Sequence, residues 1–241
     1  MSLWEYANPV KFMRLSGAVL PWVSAAAAVT LVGGLIWGFS VPEDYKQGAT
    51  VKIMFLHVPA AMMAINIWVM MLVTSLIWLI RRHHVSALAA RAAAPVGAVM
   101  TVIALVTGAV WGQPMWGTWW VWDARLTSVL VLFLFYLGYM ALRASIDDEA
   151  RAARAAAVLG LVGLINLPIV KFSVDWWNTL HQPASLLRAG GSSLAPPYLQ
   201  ALLVMMAAYG VLFLALWLTA IRTEIRRRRV MTLRARLTQE A

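Results

Sequence analysis

Cysteine is absent from this 241-residue chain, and charge is scarce, at 12% of residues. The first absence excludes disulfides, iron–sulfur clusters, thiolate zinc sites and thiol redox chemistry. Any metal or metal cofactor must then be held by His, Met, Tyr or carboxylate. The second excludes an ordinary soluble domain, in which about 25% of residues are charged and about 45–50% apolar. Here 62% are hydrophobic, so the surface faces lipid. No phosphate-cradling G-x-x-x-x-G-K-[ST] pattern occurs, so any ATP is used by a partner. Internal repeats, low-complexity tracts and a separate soluble domain are also missing.

A formal net charge of +10 resembles a nucleic-acid footprint. The positive charge, however, lies mostly in short segments between apolar runs and in the C-terminal tail, where it orients a membrane protein. Nucleic acid is not an expected partner; the lipid bilayer is.

A helix needs roughly 20 apolar residues to cross a ~30 Å hydrocarbon core. Six runs qualify or nearly so: 18–39, 54–80, 92–111, 126–142, 155–172 and 198–221. The first is too long for a cleaved signal core and reads as a retained helix. Residues 1–15, with Trp4, Tyr6 and Phe12, read as an interfacial stretch before it. Lysine and arginine divide 15 against 5 between the two sides of this arrangement. The side with the excess holds Lys11, Arg14, Arg81, Arg82, Arg91, Arg143, Arg151, Arg154 and the tail 222–241. By the positive-inside rule both termini are cytoplasmic. The expectation is an all-α, single-domain bundle of six transmembrane helices over 1–241, with outer loops at about 40–53, 112–125 and 173–197.

The second outer loop, about 112–127, is the most unusual stretch. With Trp111 before it, five tryptophans fall within twelve residues, more than the aromatic belt of a membrane interface needs. Trp116, Trp119 and Trp120 stand at i, i+3 and i+4, so a short helix would put them on one face. Gly112, Pro114 and Gly117 would bend the chain into and out of it. Such a shelf, with Trp122, suits a large planar apolar ligand. Asp123 either orients Arg125 or caps the following helix. Arg125 either anchors the interface or offers its planar fork to a carboxylate or phosphate.

Of the four histidines, His83 and His84 read as solvated residues of a basic loop. His57 and His181 lie on the outer side among apolar and aromatic residues, and imidazole is a common iron ligand. Inside the membrane, Asn66 and Asn166 are expected to form interhelical hydrogen bonds, worth about 0.6 kcal/mol each. Pro168 is expected to kink the fifth helix, and Lys171 to snorkel to the headgroups.

The segment Trp116-Gly117-Thr118-Trp119-Trp120-Val121-Trp122-Asp123-Ala124-Arg125-Leu126-Thr127 resembles the WWD signature of the haem-handling membrane proteins. With six helices and a short chain it is most similar to the CcmC, or haem exporter protein C, family of cytochrome c maturation. The resemblance spans essentially the whole chain. It implies a non-enzymatic role: non-covalent haem b held on the periplasmic face of the bacterial inner membrane. His57 and His181 would be the axial ligands, with Trp116, Trp119, Trp120 and Trp122 as the platform beside the macrocycle. Of the nearby cations, Arg125 is best placed for a propionate, with Asp123 beside it and Lys46, Lys52 and Arg188 as weaker candidates. The implied partners are an ABC-type ATPase with its membrane subunits, a small single-helix subunit, and a membrane-anchored periplasmic haem chaperone that receives the haem. The alternatives are a permease subunit moving haem or another small solute, and a membrane acyltransferase. The first would show broken helices or charged midplane residues, of which the chain has few, and the second lacks a nucleophile beside either histidine.

Overall fold

A computed structural model describes residues 8–183, 185–186 and 190–240. Its helices are α1 (Pro9–Ser40), α2 (Met54–Arg81), α3 (His84–Trp116), α4 (Ala124–Ser145), α5 (Glu149–Leu164), α6 (Asn166–Trp176) and α7 (Pro196–Glu240), with a 3-10 turn at Ala49–Ile53 before α2. Six of the resulting segments are long and apolar enough to cross a membrane, α5 and α6 together making the fifth. In lipid a helix satisfies its own backbone, which is why apolar runs of this length fold as helices.

Helix ends are marked by side chains. Asn8, His83, Asp123 and Asp148 each accept a hydrogen bond from a backbone N–H in the first turn that follows. His83 is therefore a capping residue, also bonded to Ser86 Oγ at 2.9 Å, and not the purely solvated side chain expected. Residues 9–15 belong to α1; Trp4 and Tyr6 lie outside the described residues. The basic tail continues α7 as helix to Glu240.

The fifth span is broken where Pro168 requires it. Proline has no N–H and its ring clashes with the carbonyl four residues back, here that of Leu164, the last residue of α5. Ile165 turns and α6 starts at Asn166. Asn166 is buried and donates to the Ser128 carbonyl at 2.9 Å, the interhelical bond expected of it. Asn66 is different: it lies on the outward side of α2 and makes no such bond among the described residues, because its neighbours Ile67 and Trp68 take the inward positions.

The core is built around Trp68, fully buried with Phe55, Ile67, Leu132 and Tyr136. The Tyr136 ring meets the Trp68 indole edge-on at 4.9 Å. Trp68 Nε1 donates to the Gly160 carbonyl, and the Tyr136 hydroxyl to the Ala64 carbonyl at 2.6 Å. These polar handles find partners because the bilayer offers none. α2 packs on α3, and α1 on α7. Arg222 Nη1 of α7 bonds the Met13 carbonyl of α1 at 2.6 Å, so both terminal helices have their basic segments at one end of the bundle, the basic end. The tryptophan-rich loop is at the other, the tryptophan end.

Gly163 lets α5 approach Trp68 so closely that an added methyl would overlap the indole, whereas a methyl on Gly210 would meet nothing. Gly163→Ala is expected to lower stability by about 1–3 kcal/mol through overpacking. Gly210→Ala, which gains helix propensity alone, should leave stability unchanged or raised. Thermal unfolding of the two variants in detergent, followed by circular dichroism, checks the contrast.

Candidate functional site

The site lies at the tryptophan end, where α2, α3, α4 and two loops converge. His57 is in the first turn of α2 and projects toward α3. There Gly108 leaves room for it, since even a methyl at that position would come within 3.1 Å of His57 Cε1. His57 Nδ1 lies 3.1 Å from Thr107 Oγ1. The threonine hydroxyl proton is already donated to the Ile103 carbonyl, so Thr107 accepts and His57 Nδ1 carries the hydrogen. The lone pair is thereby fixed on Nε2.

His181 is in the loop between α6 and α7 and reaches the same tautomer by another route. Its Nδ1 is 2.9 Å from the Gln182 carbonyl, which can only accept, so again Nε2 keeps its lone pair. Burial, and then the positive charge of Arg125, hold the His181 pKa below the ordinary histidine value, so its ring is neutral at pH 7. The backbone of His181 is held by a relay: its N–H donates to Thr179 Oγ1 at 3.0 Å, and the Thr179 hydroxyl donates to the Asp123 carboxylate. The other oxygen of Asp123 caps α4 through the Leu126 N–H at 2.7 Å. The carboxylate thus joins the start of α4 to the histidine loop.

The two imidazole rings stand 6.4 Å apart, centre to centre, with 35° between their planes. A metal–imidazole bond is ~2 Å, so two rings on opposite sides of one ion have centres ~6 Å apart. Among the described residues no group of three or more His, Asp or Glu could form a metal cage. Two imidazoles with no equatorial protein ligands suit an iron whose other four positions belong to a macrocycle. By distance, tautomer and donor set the residues fit a haem.

The tryptophans do not form the single-faced short helix expected. α3 continues through Gly112 and Pro114 to Trp116, and Gly117 ends it in the left-handed region at φ 76° with its N–H on the Gln113 carbonyl. Residues 117–123 are non-helical. Trp116 faces His181 at 6.5 Å and is met edge-on by Trp111 at 5.1 Å. The Trp111 indole N–H bonds Gln47 of the first loop at 2.9 Å. Trp120 meets Trp122 at 5.4 Å and 78°, and its own Nε1 is buried without a partner among the described residues. Trp119 and Trp122 are 60% and 78% exposed. The aromatic surface is therefore a set of edge-to-face pairs with an inner member at His181 and two outward members.

Arg125 does not pair with Asp123 in the described residues. Its Nη1 donates to the Val170 carbonyl of α6 at 2.6 Å, while its Nε is buried with no partner. Lys46 is exposed beside Tyr45, Lys52 is half-buried, and Arg188 lies outside the described residues. A cavity of about 290 Å³ between the two loops is lined by Val121, Trp122, Asp123, Asn178, Thr179 and Leu180. Sequence reasoning missed Thr107, Gly108, Gln47 and Thr179. Only Thr179 left a local signal, a hydroxyl two residues before His181 suited to an ST-turn.

Comparison with known proteins gives a family model, described as heme exporter protein C, that matches residues 2–236. Curated relatives of that name include one from Paracoccus denitrificans, 67% identical over 98% of both chains, and one from Rhodobacter capsulatus, 59% identical over 98% of both. Another, from Escherichia coli, is 46% identical over 78% of this chain and 77% of its own.

The relay to His181 can be broken without touching either imidazole. Thr179→Val is expected to weaken retention of added ferric haem by about tenfold or more, as loss of a ligand's supporting hydrogen bond does, with helix content unchanged. Thr179→Ser should retain it. Soret titration of the detergent-purified variants measures both.

Proposed function

This chain belongs to the heme exporter protein C family, and on that premise we propose that it holds one non-covalent haem b at the tryptophan end and hands it on during cytochrome c maturation. The observation that carries this reading is the pair His57 and His181, 6.4 Å apart, each with Nδ1 committed and Nε2 left to ligate. Haem would supply an iron able to take both imidazoles; the remaining tasks fall to the chain's own residues.

His57 is the fixed ligand, seated in a helix and backed by Thr107 and Gly108. His181 is the loop-borne ligand, positioned by Thr179 and Asp123. Trp116 and Trp120 pack beside the macrocycle and exclude water. The Nε of Arg125 and the indole N–H of Trp120 are buried donors without partners among the described residues, which suits them to a propionate. Trp119 and Trp122 form an exposed aromatic rim, the kind of apolar patch that marks a protein contact. In this reading they face the periplasmic haem chaperone. The excess of lysine and arginine at the basic end supports a cytoplasmic position for that end and a haem site on the periplasmic face of the inner membrane. An ABC-type ATPase, its membrane subunits and a single-helix subunit complete the assembly. The role is binding and delivery, with no bond made or broken by this subunit.

Protein purified from haem-replete membranes is expected to show the sharp Soret band of low-spin bis-histidine iron. His57→Ala and His181→Ala should each abolish or shift that band while the helices remain folded. Arg125→Ala should reduce haem retention with the band position unchanged. A wild-type protein without the band, or histidine variants that keep it, would contradict the assignment.

A further inference from the structure

A second charged site lies at the basic end, away from both histidines. Four guanidiniums, Arg91, Arg143, Arg227 and Arg228, share two carboxylates, Glu149 and Glu224. Two positive charges are thus left over. Arg143, in the last turn of α4, is the deepest of the four, its side chain 3% exposed. One of its nitrogens bonds Glu149, but Nε and Nη1 are buried with no partner among the described residues. An orphaned, charged N–H is costly in a buried position.

Of this cluster Arg91, Arg143 and Glu224 border a cavity of about 380 Å³. It lies where α4 and α7 flank α3. Arg91 and Arg143 bring the charge; Pro95, Met140 and Ala220 make much of the remaining wall apolar. A water molecule occupies about 30 Å³, so the space is far larger than a small anion needs. Largely apolar walls with one partly unsatisfied guanidinium, that of Arg143, and a second arginine beside it suit an amphiphile whose anionic head meets the cations while its chain follows the helices. Basic pockets between transmembrane helices recognise phospholipid headgroups in this way.

We propose that this groove binds the phosphate of an anionic phospholipid from the leaflet at the basic end, with Arg143 as its buried anchor and Arg91 as its second cation. The bound phosphate takes the orphaned N–H groups of Arg143 and offsets the excess charge of the cluster. Arg143, Arg91 and the glutamates between them then join α3, α4, α5 and α7 through a lipid.

The test uses the full chain in neutral detergent, titrated with phosphatidylglycerol or phosphatidylcholine, with bound lipid counted by native mass spectrometry. Phosphatidylglycerol is expected to bind more tightly by about tenfold. Arg143→Gln should remove that preference. Since a buried arginine also supports folding, Ala220→Phe provides a second variant that fills the groove and leaves every guanidinium in place. It should lose the lipid while keeping helix content and elution volume. Equal binding of the two lipids, or Ala220→Phe that still retains phosphatidylglycerol, would overturn the proposal. So would displacement of the lipid by millimolar inorganic phosphate, which would make the site one for free anions.

Discussion

An imidazole can ligate through one nitrogen only in the right tautomer, and the tautomer is set by what the other nitrogen bonds. Both histidines obey this constraint with different hardware. For His57 the acceptor is a threonine on a neighbouring helix; for His181 it is the carbonyl of the next residue. Neighbouring side chains support both rings. Gly108 removes a methyl from the path of one ring. The Asp123–Thr179 relay reaches out from the start of α4 to hold the backbone of the other.

The bilayer explains why the site is built at helix ends. Within hydrocarbon the backbone has to bond to itself, so irregular chain is confined to the interfaces. A ligand site made from loops therefore has to borrow rigidity from the nearest helix termini. Asp123 is a helix cap first and a loop support second, and Arg125, the second residue of α4, reaches a carbonyl of α6. The tryptophans add fixed shapes: Trp111 is pinned to Gln47 of the first loop and in turn meets Trp116 edge-on.

The six spans were legible because apolar length is a one-dimensional property. So were the cap at Asp123, one of the two roles open to that residue, and a disturbance of the fifth helix at Pro168, which are local chemistry. The shelf of Trp116, Trp119 and Trp120 was misread as a helix face because spacing alone cannot tell that Gly117 adopts positive φ and stops α3. Asn66 and Asn166 look alike in sequence, yet only one faces a neighbour; the difference lies in helix rotation, which polar identity does not encode. Thr107 and Gly108 were hidden for the same reason, and of Thr179 only the local turn was legible, not its bond to Asp123. Their roles exist only once α2 lies on α3 and the last outer loop folds back on α4.

The break in the fifth span gives α6 an aim of its own. α5 is locked into the core by Gly163 against Trp68, while α6 beyond the break offers Val170 to Arg125 and then leads into the histidine loop. A straight helix would have carried that loop wherever the core packing pointed it. The interrupted one works as a bracket: its long arm is bolted to the interior, and its short arm, tied to α4 through Asn166 and Val170, carries the loop that holds the ring.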